Sequence, residues 1–300
     1  MPALGERMAG STLNGKVVIL TGAAGGFGRV LVRALLDEGA RVAALDINEI
    51  GLGELRESLP AEAVGRLSTL VADISDYEAC DEAVATTIRH FGGAHVLINN
   101  GALGMGAIRG DCLKNLVGID EITPEMWQSF VATNLSGAWY LTRAVIGPMR
   151  AQRWGRIITV TTSFFTMLRG GFQPYGPAKA GLEAMAAGHA EEFEGTGVTV
   201  NVVVPGGPAD TPMVPEESGF DRKDLIPPGV MAPPIIWLCS DAANGITGNR
   251  YVASHWDASK PTKEAERKAR APIAWRELAQ NPVWPGGKPA SARPGSGLVT

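Results

Sequence analysis

The run Lys16-Val17-Val18-Ile19-Leu20 leads directly into Thr21-Gly22-Ala23-Ala24-Gly25-Gly26-Phe27-Gly28, and no other segment constrains the fold as strongly. A short, β-branched apolar run reads as a strand buried on both faces. Arg29 to Glu38 then carries helical apolar spacing at Val30, Leu31, Ala34 and Leu35, and Gly39 closes it. Strand, glycine turn and helix in this order let backbone approach a pyrophosphate and set it at a helix N-terminus, where free N–H groups and the dipole favour an anion. The plainer reading is a glycine turn that only joins strand to helix.

The alternation continues along the chain. Strands are expected near residues 16–21, 41–45, 67–71, 95–99, 156–161, 198–204 and 249–253, with helices between them. That pattern predicts an α/β fold, a doubly wound (Rossmann-type) parallel seven-stranded sheet with helices on both faces. Residues 15–253 then make one domain, after an arm at 1–14 and before a Pro-rich extension at 254–300. Within the extension, Lys263 to Arg270 reads as a short charged helix and Pro282 to Thr300 as irregular chain.

The second strand ends in Asp46, where a carboxylate can accept from both hydroxyls of an adenosine ribose. A 2′-phosphate at about 4 Å would meet a repulsion of roughly 4 kcal/mol per unit charge at an effective dielectric of ~20. No Arg or Lys directly follows Asp46 or lies between Gly22 and Gly28, so NAD is the expected cofactor. The competing reading makes Asp46 a cap for the next helix.

Composition excludes several classes. A net charge of −4 gives no nucleic-acid footprint. Cys80, Cys112 and Cys239, like His90, His95, His189 and His255, are scattered without metal or disulfide spacing, which suits a cytoplasmic protein with no metal. The first fourteen residues hold no apolar signal core, and no run approaches the ~18 apolar residues of a membrane span.

Tyr175 and Lys179 stand four residues apart, a spacing that puts both on one helix face roughly 6 Å apart. Bringing a phenol from ~10 to neutrality takes roughly 4 kcal/mol, about what one positive charge 4 Å away supplies at an effective dielectric of ~20. A phenol tuned in this way is a general base.

These features together resemble a short-chain dehydrogenase/reductase of the compact, single-domain type, over about Asn14 to Val252. Gly22, Gly26 and Gly28 fit the compact pattern T-G-x-x-x-G-x-G, while Gly22, Gly25 and Gly28 fit the extended one; the later motifs favour the compact type. The resemblance implies that Thr21, Gly22, Gly26, Phe27 and Gly28 cradle the cofactor, with Asp46 on its ribose. Asp73 would accept from the adenine amine beside the Ile74 amide, and Asn100 and Gly101 would line the next turn. Asn134 would hold a water of the proton relay behind Lys179. Pro205-Gly206 would face the nicotinamide, and Thr211, one residue later than the family's spacing, its carboxamide. The family's substrate-polarising serine falls at Thr162, thirteen residues before Tyr175, with Ser163 beside it. Consecutive strand residues face opposite sides, so spacing favours Thr162 and a bulge would present Ser163.

The implied activity is NAD-dependent hydride transfer between the nicotinamide and a small secondary alcohol or ketone, with Tyr175 as general acid/base. Alternatives are an NAD(P)H-dependent carbonyl or 3-oxoacyl reductase and a cofactor-sensing protein without turnover. The resemblance also implies a homodimer through the helices of Asn134 and Tyr175, or a homotetramer. Leu103 to Thr123 is longer than the family's connection and reads as a substrate wall or a surface Ω-loop. Phe164, Phe165, Met167, Leu168, Trp127 and Met213 are candidates for an apolar pocket or for core.

Overall fold

All five residues of the first strand are buried, and their side chains alternate between two cores. Val18 and Leu20 enter one apolar cluster and Ile19 the other, so the strand lies between two layers of helices. The computed structural model describes residues 13–278. Residues 1–12, most of the expected N-terminal arm, and the irregular chain expected at 282–300 lie outside the described residues.

The elements run β1 (Val17–Thr21), α1 (Gly26–Asp37), β2 (Arg41–Asp46), α2 (Glu49–Glu57), α3 (Ala61–Val64), β3 (Leu67–Val71), α4 (Tyr77–Phe91) and β4 (Val96–Asn99). After the long connection come α5 (Pro124–Val131), α6 (Gly137–Ala151), β5 (Gly155–Val160), α7 (Phe164–Leu168), α8 (Tyr175–Glu192) and β6 (Val198–Val204). The chain continues through α9 (Ala232–Cys239), β7 (Asn249–Val252), α10 (Thr262–Ala269) and β8 (Arg270–Pro272). Seven strands fall within a residue of their expected ends. The sheet order is β3-β2-β1-β4-β5-β6-β7-β8, parallel through β7. The order reverses between β1 and β4, and ligands of such sheets bind at that reversal, beyond the carboxyl ends of the strands.

The eighth strand corrects the seven-stranded expectation. The charged helix of the extension forms as Thr262–Ala269, and the chain then turns back so that Arg270–Pro272 pairs antiparallel with β7, Tyr251 opposite Arg270 and Asn249 opposite Pro272. Pro272 is tolerated because it lies on an edge. The extension is also tied into the cores: Ala265 and Ala269 join one cluster and Ile273 the other, and Glu266 Oε1 accepts from the Tyr251 hydroxyl at 3.1 Å. No helix among the described residues is long and apolar enough to cross a membrane.

Ile273 is fully buried although it lies twenty residues past the last expected strand. Ile273→Ala should therefore cost about 2–5 kcal/mol of stability, the usual range for emptying a core site of this size. Denaturant unfolding checks this, and a change below about 0.5 kcal/mol would show that the extension is not seated in the core.

Candidate active site

The turn after β1 is built so that backbone replaces side chains. At Gly22, φ is +64°, and a Cβ would lie 2.8 Å from Gly101 Cα; at Gly28 it would lie 2.0 Å from the Gly22 carbonyl oxygen. A Cβ at Gly26 would meet Thr211 Cγ2 at 2.5 Å, whereas at Gly25 the nearest atom is 3.3 Å away. The steric demand thus falls on Gly22, Gly26 and Gly28, the compact spacing. Helix α1 opens at Gly26 with no side chain capping it, and the first amides of a helix have no intrahelical partner. Phe27 packs partly against the core beneath the turn. A backbone cradle over a bare helix N-terminus fits a dinucleotide's pyrophosphate.

Thr21 fastens this turn to the neighbouring one. Its buried hydroxyl accepts from the amides of Asn100 at 3.0 Å and Gly101 at 2.8 Å, while Asn100 Nδ2 donates back to the carbonyls of Thr21 and Gly22 at 2.9 and 3.2 Å. Thr21 and Asn100 therefore shape the cradle with their side chains already engaged. Asp46 does not cap α2; Asn48 does, accepting from the Gly51 amide at 3.0 Å. Instead Asp46 Oδ2 accepts from Ala24 N in the glycine turn and Oδ1 from Asn48 N, both at 2.9 Å. The sequence reading missed Arg29, whose Nε donates to Ala24 O at 2.8 Å and whose Nη2 pairs with Glu54 at 2.8 Å. A cation does reach this corner, with Glu54 as its partner.

Asp73 is exposed and holds Ser75 through its amide and hydroxyl, at 2.8 and 2.7 Å. The Ile74 side chain lies over Gly101, 3.1 Å from where a Cβ would be. Gly206, at φ +106°, lets the turn after β6 pass Ser254, and Pro205 O accepts from Ser254 N at 3.1 Å. Thr211 is brought across the crevice onto Gly26, so the loop after β6 and the glycine turn meet despite the extra residue.

Asn134 is buried in a π-helical turn, Ala132–Ser136, between α5 and α6. Its Oδ1 accepts from Leu103 N at 2.7 Å and its Nδ2 donates to Leu103 O at 2.9 Å. Both polar side-chain atoms are thus spent on pinning the connection after β4, and π-turns interrupt the regular helical ladder, often at functional sites.

The two adjacent hydroxyls have different surroundings. Ser163 caps α7, accepting from Thr166 N at 3.1 Å and bonding the Thr166 hydroxyl at 2.9 Å. The Thr162 side chain instead acts on the Tyr175 phenol, drawing its pKa down. Lys179 is buried on the same face, with Nζ 5.9 Å from the Tyr175 ring centre and donating to Val160 O at 2.9 Å. The expected tuning of the phenol by the ammonium is not what this structure shows. Burial pushes Tyr175 up to about 12, against a downward pull from Thr162, and pushes Lys179 down to about 8. The sequence argument assumed a charge about 4 Å away in a medium half open to water; here desolvation disfavours both charged forms.

The connection at 103–123 folds on itself and against Tyr175. Met105, Cys112 and Val117 form a small apolar cluster with Phe172, and Tyr175 packs on its edge. Arg109 ties the loop together through Glu121 at 2.6 Å and the carbonyl of Asn115 at 2.6 Å. Beside it lies a groove of about 360 Å³ lined by Ile119, Ile122, Thr123, Pro124, Trp127 and Gln173. Of the other apolar candidates, Met167 is core, Phe164 packs on Trp275 away from the groove, and Phe165, Leu168 and Met213 are exposed.

The family profile described as short chain dehydrogenase matches residues 16–220. Over 243 residues the chain is 32% identical to the 3-oxoacyl-[acyl-carrier-protein] reductase FabG of Escherichia coli strain K12, covering 78% of this chain and 93% of that protein. It is 34% identical to the 2,3-dihydroxy-2,3-dihydro-p-cumate dehydrogenase of Pseudomonas putida over 193 residues, 64% of this chain and 71% of that one. The crystal structure of 3-ketoacyl-(acyl-carrier-protein) reductase from Brucella melitensis, complexed with NADH, shares the fold, with a TM-score of 0.68 at 24% identity over 80% of this chain and 96% of that chain. The chain belongs to the short-chain dehydrogenase/reductase family. It is a nicotinamide-dependent oxidoreductase.

Two outcomes follow from the geometry. Thr162→Val should lower kcat by ~10²–10³, as removal of one donor to a developing oxyanion does, while Ser163→Ala should spare kcat and cost about 0.5–2 kcal/mol of stability through its lost cap; steady-state kinetics with thermal unfolding separate the two, and the reverse pattern would reassign the hydroxyl. Lys179, held at about 8 against 10.5, binds fewer protons folded than unfolded between those values. Its burden on stability, up to about 3 kcal/mol at ~1.4 kcal/mol per unit, is fully present below pH 8 and relieved as pH rises to about 10.5. Lys179→Met should accordingly be more stable than wild type at pH 7, with the advantage shrinking above pH 8; an unchanged difference across that window would refute the assignment.

Proposed function

We propose that this chain is an NAD-dependent dehydrogenase interconverting a secondary alcohol and its ketone. The observation that carries the reading is Tyr175 and Lys179 on one face of α8 at the carboxyl end of β5, Lys179 Nζ 5.9 Å from the phenol ring and bonded to Val160 O, with Thr162 favouring the ionised phenol. When bound, the nicotinamide cofactor supplies the hydride acceptor. Tyr175 Oη takes the alcohol proton, and the Thr162 hydroxyl holds the substrate oxygen in place. Lys179 meets the cofactor's ribose, and Asn134, its side chain committed to Leu103, serves the relay through its main chain.

Gly22, Gly26, Phe27 and Gly28 are placed to hold the pyrophosphate and Asp46 the adenosine ribose, with Thr21 and Asn100 shaping their turn. Asp73 and Ile74 lie by the adenine side, and Gly101, Pro205, Gly206 and Thr211 by the nicotinamide side. The Asp46 carboxylate supports NAD over NADP, since Arg29, the nearby cation, is paired with Glu54. The apolar groove beside Gln173 supports a substrate with an apolar substituent. Three free, buried cysteines suit the cytoplasm. Pairing of β7 with β8 covers the edge a tetramer through the last strand would use, so a homodimer through α5, α6 and α8 is the favoured assembly.

The likeness to 3-oxoacyl reductases favours one second reading, reduction of a 3-oxoacyl thioester at the same site. A panel of secondary alcohols with NAD⁺, and of 3-oxoacyl thioesters with NADH and NADPH, decides between them by the change in absorbance of the reduced nicotinamide. NAD should exceed NADP in kcat/KM by at least roughly a hundredfold, ~2.7 kcal/mol. Tyr175→Phe should bind NADH and lose at least ~10² in rate. Equal use of both cofactors would overturn the role of Asp46, and activity within about tenfold of wild type would overturn that of Tyr175.

A further inference from the structure

A guanidinium stands in the middle of β7, where an apolar side chain would be ordinary. Arg250 is 4% exposed and Glu183, on α8, is wholly buried, with Nη1 and Oε2 at 2.5 Å. The Thr161 hydroxyl donates to the same Oε2 at 2.6 Å, and Ala274 N donates to Oε1 at 3.2 Å. The Phe164 ring lies 4.2 Å from the guanidinium carbon, and Trp275 lies 5.4 Å from that ring. Ala274 adopts a left-handed backbone, φ +56°, to present its amide. The extension thus closes the cluster from outside.

A buried ion pair is seldom more stable than apolar residues of the same size, so stability alone does not account for it. Its other contact does. Arg250 Nη2 donates to the carbonyl of Thr162 at 2.6 Å. Strand β5 ends at Val160, and the Thr161 amide still bonds Val203 O at 3.2 Å. One residue later, a side chain from β7 holds the main chain. That residue is the one whose side chain is assigned above to the substrate oxygen and favours the ionised Tyr175.

The geometry points to Arg250 as a positioning residue for the Thr162–Tyr175 pair, with Glu183 orienting its fork and the segment at 273–275 sealing it. The inference rests on the reading of Thr162 given above. A planar guanidinium can serve Glu183 and the carbonyl together, whereas an ammonium is a single point charge on a flexible stem. Arg250→Lys therefore keeps the charge pair and gives up the hold on Thr162.

The test is a double-mutant cycle of Arg250→Lys and Thr162→Val, read by kcat, alcohol KM, NADH affinity from fluorescence, and thermal unfolding. Arg250→Lys is expected to fold and bind NADH as wild type does, with kcat lowered about tenfold, 1.36 kcal/mol. In the Thr162→Val background the same change should cost less than about twofold, because residues acting through one another are not additive. Wild-type kcat in Arg250→Lys, or an equal loss in both backgrounds while Thr162→Val is itself impaired, overturns the positioning role and leaves Thr162 standing. Full activity in Thr162→Val removes the reading of Thr162, and this inference falls with it. Should Arg250→Lys fail to fold, Glu183→Gln/Arg250→Met, which removes both buried charges together, carries the same cycle.

Discussion

The meeting of β1 and β4 is the constraint from which the site follows. These strands are neighbours although two strands and the helices between them separate them in sequence, and their two outgoing turns come within a Cβ's reach of each other. Thr21 and Asn100 close that approach with four hydrogen bonds. Only glycine satisfies the geometry at Gly22, with its positive φ and its closeness to Gly101. Because the order of strands reverses here, helices leave to opposite faces and a crevice opens between them. The bare N-terminus of α1 points into it. A cradle that fits a phosphate is therefore a by-product of chain topology, with little asked of side chains.

The groups proposed to move the proton come from the other side of that crevice, and burial shifts the pKa of both. Tyr175 and Lys179 share a helix face as their spacing requires, yet burial acts on both more strongly than either acts on the other. A neutral phenol and a weakened ammonium are the low-energy state of a dry site. A phenol acts as a base only as far as neighbouring groups favour the phenolate, and Thr162 is the neighbour that draws the Tyr175 pKa down. That places unusual weight on where the end of β5 is held.

The parts of the molecule legible from sequence are those where one local rule acts without competition. Parallel strands buried on both faces appear as short β-branched runs, and β1 and β6 show how closely their limits can be drawn from that signal. The glycine turn is legible because close backbone approach admits few residues. Strand β8 is not: Arg270-Ala271-Pro272 is too short for a period and carries a proline, and it exists because β7 offers an edge and Ile273 finds a core site. The choice between Thr162 and Ser163 is open in sequence, since spacing and a bulge disagree; the structure engages Ser163 as the cap of α7, which is why Thr162 is the one proposed. Arg29 was overlooked because it follows the glycine turn by one residue and reaches back to it.

Arg250 and Glu183 are the least legible of all. A lone charge in a strand and another in a helix, sixty-seven residues apart, leave no spacing by which sequence could pair them. They meet because β7 lies beside β6 and α8 packs across the same face of the sheet. Family membership explains the glycine cradle and the Tyr175/Lys179 face, but the long connection after β4 and the extension after β7 are departures from the family layout. Both converge on the proton-transfer pair, the first through the cluster under Tyr175 and the second through Glu183. A connection in the middle of the domain and an extension after its last parallel strand thus both reach the junction of β5 and α8, where the position of a reacting group decides the rate of the proposed proton transfer.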